Sequence, residues 1–170
     1  MNKRLITFIW CMLCMLLFVS CNKDMVTESI VDDSVSLNIS YPSNQGYIYS
    51  PNQNNRARTS ELTKENGDFI ITFKIDATTI GYYFNGDFNA IRNRRSENYE
   101  INDVSINDLK GFGYYKSSTD QYIVVLPIDE KRTAEISVEP IERFKSTTGK
   151  DIYEREDVNK IINGIKIIKN

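Results

Sequence analysis

Apolar residues recur at every second position in several stretches of this chain, and that period restricts the fold more than any other feature. In DFIITFKID, residues 68–76, the alternating apolar side chains are Phe69, Ile71, Phe73 and Ile75. VSLNISYP, residues 35–42, alternates in the same way and ends at a proline. Successive side chains of a strand point to opposite faces of a sheet, so each stretch predicts a strand with one buried face.

Turn dipeptides and further apolar stretches extend this pattern through most of the chain. Asn66-Gly67 and Asn85-Gly86 are strong turn signals. QYIVVLPI is apolar on both faces, which predicts a strand in the interior of a sheet. Further strands are predicted at GYIYS (46–50), TIGYYF (79–84), EINDVSI (100–106), GFGYYK (111–116), QYIVVLPI (121–128) and TAEISVEP (133–140).

Three other stretches follow different patterns. PNQNNRARTS, residues 51–60, has almost no apolar content and predicts a loop. NAIRNRRSEN, residues 89–98, fits either a short exposed helix or a basic loop. EREDVNKIINGIKII, residues 154–168, predicts a helix with acidic residues in its first turn and Lys166 and Lys169 in its last. The apolar stripe of that helix consists of Val158, Ile161, Ile162 and Ile165.

These elements together predict an α+β fold. We expect one sheet-dominated antiparallel domain over residues 35–170, with the C-terminal helix packed on the sheet. A domain of this size buries about two-thirds of its unfolded surface and needs no disulfide.

The N-terminal segment predicts export and a covalent anchor. Basic residues 3–4 precede an uncharged apolar stretch, residues 5–19, which is shorter than the roughly 20 residues of a membrane span. Val-Ser-Cys then closes the segment, and this ending resembles the signal of bacterial lipoproteins. The resemblance implies a signal peptide over residues 1–20, cleavage before Cys21, diacylation of its thiol and acylation of the new amino group. An ordinary signal peptide and an uncleaved anchor are the alternatives.

The cysteine content favours the lipoprotein interpretation. Cys11 and Cys14 lie in the segment that would be removed, and Cys21 alone cannot form a disulfide within the mature chain. Two or three acyl chains, such as palmitate, hold a protein stably on a membrane. We therefore expect a cell-envelope protein anchored to the outer membrane through Cys21, with residues 22–34 as a tether. The Asn-, Ile-, Lys- and Tyr-rich composition resembles that of Bacteroidetes-like lipoproteins.

The order of the predicted elements resembles the PsbP-like domains of bacterial lipoproteins. The matching pieces are LNISYP (37–42), the strands within 111–140 and DVNKIINGIKII (157–168). The resemblance implies a binding or assembly scaffold without a shared catalytic residue set, so no site residue follows from it. FIITFKID…IGYYFNGDF, within residues 69–88, is also similar in rhythm to propeptides and inhibitors of streptopain-type cysteine proteases.

Composition excludes several kinds of chemistry. The sequence has no histidine, and the expected mature chain has one acylated cysteine, so Ser-His and Cys-His mechanisms and histidine-bound zinc are excluded. Without Lys3 and Arg4, 19 of the 21 basic residues remain against 23 acidic residues, and the net charge of −4 gives no support to nucleic-acid binding. NGDFN, residues 85–89, begins like a calcium loop but lacks the later Gly and Glu. We predict a protein that is not an enzyme, with no catalytic residue, cofactor or metal.

Tyrosines and arginines provide the binding candidates. Neighbouring strand tyrosines point to opposite faces, so one ring of each pair should lie outside a one-sided core, where tyrosine is a favoured contact residue. The arginines would bind an anion. The candidates are Tyr82, Tyr83, Tyr114, Tyr115, Arg92, Arg94 and Arg95. The alternatives are tyrosines that only pack the sheet, and arginines neutralised by Glu97 and Glu100.

The function expected from the sequence is that of a lipid-anchored, non-catalytic binding module. Its partners would be the membrane, through the N-terminal acyl chains, and an envelope protein or a glycan. The alternatives are an immunity-type or protease-inhibitor lipoprotein, and an accessory subunit of an envelope complex.

Overall fold

The structure, a computed structural model, describes residues 24–51, 58–65, 67–76, 84–141 and 147–169. Within these ranges the chain forms ten strands and three helices. The strands are β1 (Met25–Asp32), β2 (Val35–Pro42), β3 (Tyr47–Pro51), β4 (Arg58–Lys64), β5 (Phe69–Asp76), β6 (Ile101–Ile106), β7 (Leu109–Lys116), β8 (Gln121–Pro127), β9 (Thr133–Pro140) and β10 (Lys166–Lys169). The helices are α1 (Phe88–Ser96), α2 (Gly149–Tyr153) and α3 (Glu156–Asn163), and a 3-10 turn spans Ser43–Gln45.

The strands form two antiparallel sheets. The large sheet has the order β3-β4-β5-β9-β8-β7-β6, and the small sheet has the order β1-β2-β10. β8 has a neighbour on each side, and its five central residues are buried, so the prediction of an interior strand is confirmed. The alternating prediction for β5 is also confirmed, because its four apolar residues at alternate positions are all buried.

The main core lies between the large sheet on one side and the small sheet with α2 and α3 on the other. β1 packs against β4 and β5, α2 packs against β8 and β9, and α3 packs against β2. Val158, Ile161 and Ile162 place the apolar stripe of α3 in this core at 0–1 % exposure. The predicted α+β fold, with an antiparallel sheet and a C-terminal helix packed upon it, is therefore confirmed.

A second, smaller cluster covers part of the opposite face of the large sheet. It joins Ile91 of α1 to four buried residues of β7 and β8: Phe112, Tyr114, Ile123 and Val125. Asp87 begins α1 as its N-cap, where its side chain accepts a hydrogen bond from the Asn89 N–H. The segment 89–98, which the sequence left open between helix and loop, is therefore helical through Ser96.

The predicted tether is wrong for residues 25–32. This stretch forms β1 and pairs with β2 over all eight of its residues. Its inner face includes the buried side chains of Ile30 and Asp32. The Asp32 carboxylate lies against the guanidinium groups of Arg58 and Arg132. The folded domain therefore begins at β1, ten residues earlier than the predicted start at Val35.

Two other predicted boundaries also change. The predicted loop 51–60 contains the end of β3 and the start of β4, where Ser60 is fully buried; its residues 52–57 lie outside the described ranges. The predicted C-terminal helix ends at Asn163. Lys166 and Lys169 do not belong to its last turn, because they form β10 and pair with β2.

The segment around the predicted strand 79–84 is described only from Phe84 onward. Residues 79–83 therefore lie outside the described part of the chain. The turn at Asn85-Gly86 is confirmed, since Asn85 has φ 49° and Gly86 has φ 82°. Glycine reaches this left-handed region without the steric cost that other residues incur.

Replacing Ile30 tests whether residues 25–32 are a strand or a tether. We expect Ile30→Ala to lower the free energy of unfolding by about 2–4 kcal/mol, because the side chain is 7 % exposed in the main core. Ser29→Ala, on the exposed face of the same strand, is the matched control and should change it by less than about 0.5 kcal/mol. Urea unfolding of both variants measures this change in the free energy of unfolding. An equally small effect of Ile30→Ala would contradict the strand and support a tether.

Candidate functional site

The structure does not bring the predicted tyrosines together on an exposed surface. Tyr114 is 2 % exposed and packs against Tyr99, with ring centroids 4.8 Å apart. Burial raises its pKa to about 12, although the charge of Arg95 opposes the shift. Tyr115 packs against the main core, and its hydroxyl donates a hydrogen bond to Asp120, which raises its pKa. Tyr82 and Tyr83 lie outside the described residues.

Neither ring of the Tyr114–Tyr115 pair is fully exposed, because Tyr114 is buried in the α1 cluster outside the main core and Tyr115 is half-buried against the main core. The two rings do point to opposite faces of β7, as strand geometry requires. Each face is covered, however, because the main core lies on one side and the α1 cluster lies on the other. A one-sided core would have left one ring exposed, but α1 covers the second face of β7.

The three predicted arginines do not converge on one point. Arg92 pairs with Asp103 at 2.7 Å, and Arg94 pairs with Glu97. The guanidinium carbon of Arg95 lies 5.7 Å from the centroid of the Tyr114 ring. The predicted anion clamp is thus replaced by two surface ion pairs and one cation–π contact, and the alternative of local neutralisation describes Arg94 correctly.

A cleft of about 800 Å³ lies elsewhere, where β1 begins and β2 ends. One wall belongs to the small sheet and the turn after it, and the other wall belongs to α3 and its N-cap residue Arg155. Its lining combines apolar, amide, hydroxyl and charged side chains: Met25, Ser40, Pro42, Gln45, Arg155, Glu156, Asp157, Lys160 and Ile161. Small-molecule sites in proteins span roughly 300–1,000 Å³ and have such mixed linings.

The local sequence explains the first wall. Pro42 closes β2, and the 3-10 turn that follows ends at Gly46, whose φ of 68° favours glycine. Both the N–H and the hydroxyl of Ser43 donate hydrogen bonds of 2.9 Å to the carbonyl of Asp24. The start of β1 is therefore fastened to the turn that carries Gln45.

Arg155 fixes the second wall, because it joins the start of α3 to the start of β5. Its Nη1 donates hydrogen bonds to the two carboxylate oxygens of Asp68 at 2.8 and 3.1 Å. Its Nε and Nη2 donate to the two carboxylate oxygens of Asp157 at 3.2 and 3.1 Å. The same guanidinium lies over the ring of Phe69, 4.8 Å from its centroid. Such two-point pairing with carboxylates fixes geometry as well as charge.

Asp157 is the hub of the polar groups behind the cleft. Burial alone would raise the pKa of its carboxyl, but the hydrogen bonds and charge of Arg155, the Val158 N–H and the charge of Lys64 outweigh it and lower the pKa. Burial and the Asp157 charge, opposed by Arg155, raise the pKa of Tyr47 to about 12. At neutral pH, Asp157 is therefore an anion and Tyr47 a neutral phenol.

Two further charged side chains line the cleft beside this network. Lys160 and Glu156 pair at 2.6 Å on the exposed surface of α3, with side chains 71 % and 83 % exposed. Exposed pairs of this kind contribute little to stability and can exchange partners. Gln45 adds an amide, and Met25, which is 54 % exposed, adds an apolar edge. The cleft is thus suited to a polar ligand that has an apolar part.

A second depression, of about 380 Å³, lies beside α1. The predicted site residue Arg92 lines it, together with Asp103 and Lys110. The depression has about half the volume of the first cleft. The charge of Arg92 is less accessible there, because Arg92 already pairs with Asp103.

Sequence reasoning missed the cleft between β1–β2 and α3 because its residues come from distant parts of the chain. Arg155 and Asp68 are 87 residues apart. In the sequence, the acidic start of the C-terminal helix indicates only a favourable charge at a helix end. The one available signal was Arg155 itself, a cation placed among Glu154, Glu156 and Asp157 at that helix start.

Comparison with known proteins identifies no relative. No protein-family model matches the chain, and neither a curated protein nor a solved structure matches it. In the ranges that the structure covers, no helix is long and apolar enough to cross a membrane. In those same ranges, no cluster of three or more Asp, Glu or Cys residues could hold a metal ion. The predicted lipidation site, Cys21, precedes the described residues.

Replacing Arg155 tests the network behind the cleft. In the wild type the lowered pKa of Asp157 stabilises the fold above the unfolded carboxyl pKa of about 4, and this contribution is lost as the pH falls through the folded value. In Arg155→Met, Asp157 loses the hydrogen bonds and the positive charge that lower its pKa against the effect of burial. We expect the variant to be less stable by about 1–2 kcal/mol at pH 7 and the difference to shrink below about pH 4.

Urea unfolding between pH 3 and pH 7 measures this difference. Lys160→Met is the matched control, since it removes a cation that pairs with Glu156 outside the network. An Arg155→Met deficit that stays constant over the whole pH range would contradict the proposed role of Asp157.

Proposed function

We propose that this protein is a lipoprotein of the cell envelope, anchored through Cys21, that binds a partner non-catalytically in the cleft between β1–β2 and α3. The anchor is supported by the signal-like segment before Cys21 and by the absence of another cysteine in the mature sequence. The single observation that carries the binding role is the cleft itself, with its volume of about 800 Å³ and its mixed lining. The outer membrane is the proposed location.

The lining favours a ligand rich in hydroxyl or other polar groups, such as a glycan. Carboxylate, amide and ammonium groups of Glu156, Gln45 and Lys160 supply both donors and acceptors. Met25 and Pro42 offer apolar surface to the less polar side of the same ligand. A binding module needs only such fixed complementarity, which here rests on the Arg155 network.

The anchor is tested by Cys21→Ala in the full-length chain. We expect the variant to lose incorporation of labelled palmitate and to leave the membrane fraction, because no acyl chain can then be attached. The measurement is metabolic labelling followed by fractionation, and Cys11→Ala is the matched control that should keep both properties. A wild-type protein without label would contradict the lipoprotein proposal.

The cleft is tested by filling it. Ser40 and Ser36 occupy equivalent half-exposed positions on the outer face of β2, but only Ser40 lines the cleft. We expect Ser40→Tyr to abolish retention of the ligand from solubilised envelope material and glycan arrays, and Ser36→Tyr to preserve it.

The measurement is capture by the purified full chain in detergent, with both variants compared at equal stability. Retention of a single protein at one-to-one stoichiometry, blocked by Ser40→Tyr, would make that protein the partner in place of a glycan. Equal retention by both variants would place binding outside the cleft and overturn the proposed site.

A further inference from the structure

The end of the molecule that contains the cleft is also the end that lies nearest to Cys21. Met25 pairs with Pro42 at the first position of β1, and both residues line the cleft. Cys21 precedes Met25 by four residues. A chain spans at most about 3.6 Å per residue, so the two Cα atoms are at most about 14 Å apart. This limit follows from the length of the chain alone.

The distance from Cys21 to the domain is short because residues 25–32 form a strand and are not part of a tether. A tether over residues 22–34 would have allowed a reach of more than about 40 Å from the anchor. β1 consumes eight of those residues in pairing with β2. The opposite end of the small sheet, near Val35 and its partner Lys169, lies about 25 Å from the cleft end at the usual rise per residue of a strand.

We infer that the cleft end of the domain rests on the surface of the bilayer that holds Cys21, and that the cleft opens onto zwitterionic lipid headgroups. This inference rests on the lipid anchor proposed above. The ligand of the cleft is then the zwitterionic headgroup of a phospholipid of that membrane, because Cys21 lies at most about 14 Å from Met25 at the cleft. The exposed Met25 side chain lies where it can enter the interface.

The charge of the cleft selects the type of lipid. Its four charged lining residues are the cations Arg155 and Lys160 and the anions Glu156 and Asp157, which balance. Attraction to an anionic membrane needs a cluster of basic residues, which this lining lacks. A zwitterionic headgroup fits better, because its phosphate can meet Lys160 while its ammonium meets Glu156.

The orientation can be measured with two single labels on the processed full chain. Once Cys21 is acylated, an introduced cysteine is the one reactive thiol of the mature protein. Asn44→Cys places a fluorophore in the exposed turn at the cleft end, and Lys169→Cys places it at the opposite end of the small sheet. Neither residue lines the cleft. The protein is reconstituted in phosphatidylethanolamine–phosphatidylcholine vesicles that contain headgroup nitroxide lipids.

We expect a large loss of fluorescence at position 44 and little loss at position 169. Insertion of a long Gly-Ser linker between Lys23 and Asp24 should remove the difference, because the longer connection to Cys21 then no longer holds the cleft end at the bilayer, while the Ser43–Asp24 hydrogen bonds are kept. Replacing the zwitterionic lipids by phosphatidylglycerol should weaken the contrast. A contrast that is unchanged or stronger in phosphatidylglycerol would overturn the choice of headgroup.

Mass spectrometry of the same sample separates the two proposals. Equal quenching at both positions in protein whose acyl chains are detected would overturn the orientation and leave the anchor intact. Protein without acyl chains would instead contradict the anchor on which the orientation rests.

Discussion

The inner face of β2 is the constraint on which the small sheet and the cleft depend. Val35, Leu37 and Ile39 are 0–1 % exposed, and a shift of the strand by one residue would turn this row to solvent. The strand pairs with β1 along one edge and with β10 along the other. Both ends of the described chain are therefore held by the buried side chains of β2. The helix α3 is held with them, because it connects to β10 and packs on β2. The cleft is the space that this arrangement leaves between β1, the turn after β2 and α3.

A buried charge fixes the opposite end of β1. Asp32 is 1 % exposed and lies against Arg58 and Arg132, while Arg132 also donates a hydrogen bond of 2.9 Å to the Asp32 carbonyl. Removing one partner of a buried ion pair commonly costs several kcal/mol, because the other charge is left uncompensated. Such a pair specifies one position of the strand more than it adds stability. β1 is thus fixed by charge at this end and by the Ser43–Asp24 hydrogen bonds at the cleft end.

The strands that the sequence predicted well are those whose inner positions are all apolar, as in β5. β1 and β4 were missed because polar residues occupy inner positions: Asp32 follows Ile30 in β1, and Ser60 precedes Leu62 in β4. A polar residue at an inner position removes the alternation on which the prediction depends. The end of α3 was misplaced for the opposite reason, since Ile165 continues the apolar stripe but is buried beyond the helix. The cleft could not be predicted, because pairing between Arg155 and Asp68 depends on which strand lies beneath α3.

The arrangement of Arg155 also determines what kind of recognition the cleft can perform. Its donors are directed at Asp68 and Asp157, so this cation of the lining serves to hold the start of α3 against the start of β5. Lys160 and Glu156 remain as an exposed pair of opposite charges, and neither sign dominates the approach of a ligand. Long-range steering needs an excess of one charge, which this cleft does not have. Encounter with the ligand must then depend on local concentration. If the proposed anchor holds the cleft against the bilayer, a membrane-bound ligand would already be confined there, and tethering would replace electrostatic attraction as the means of encounter.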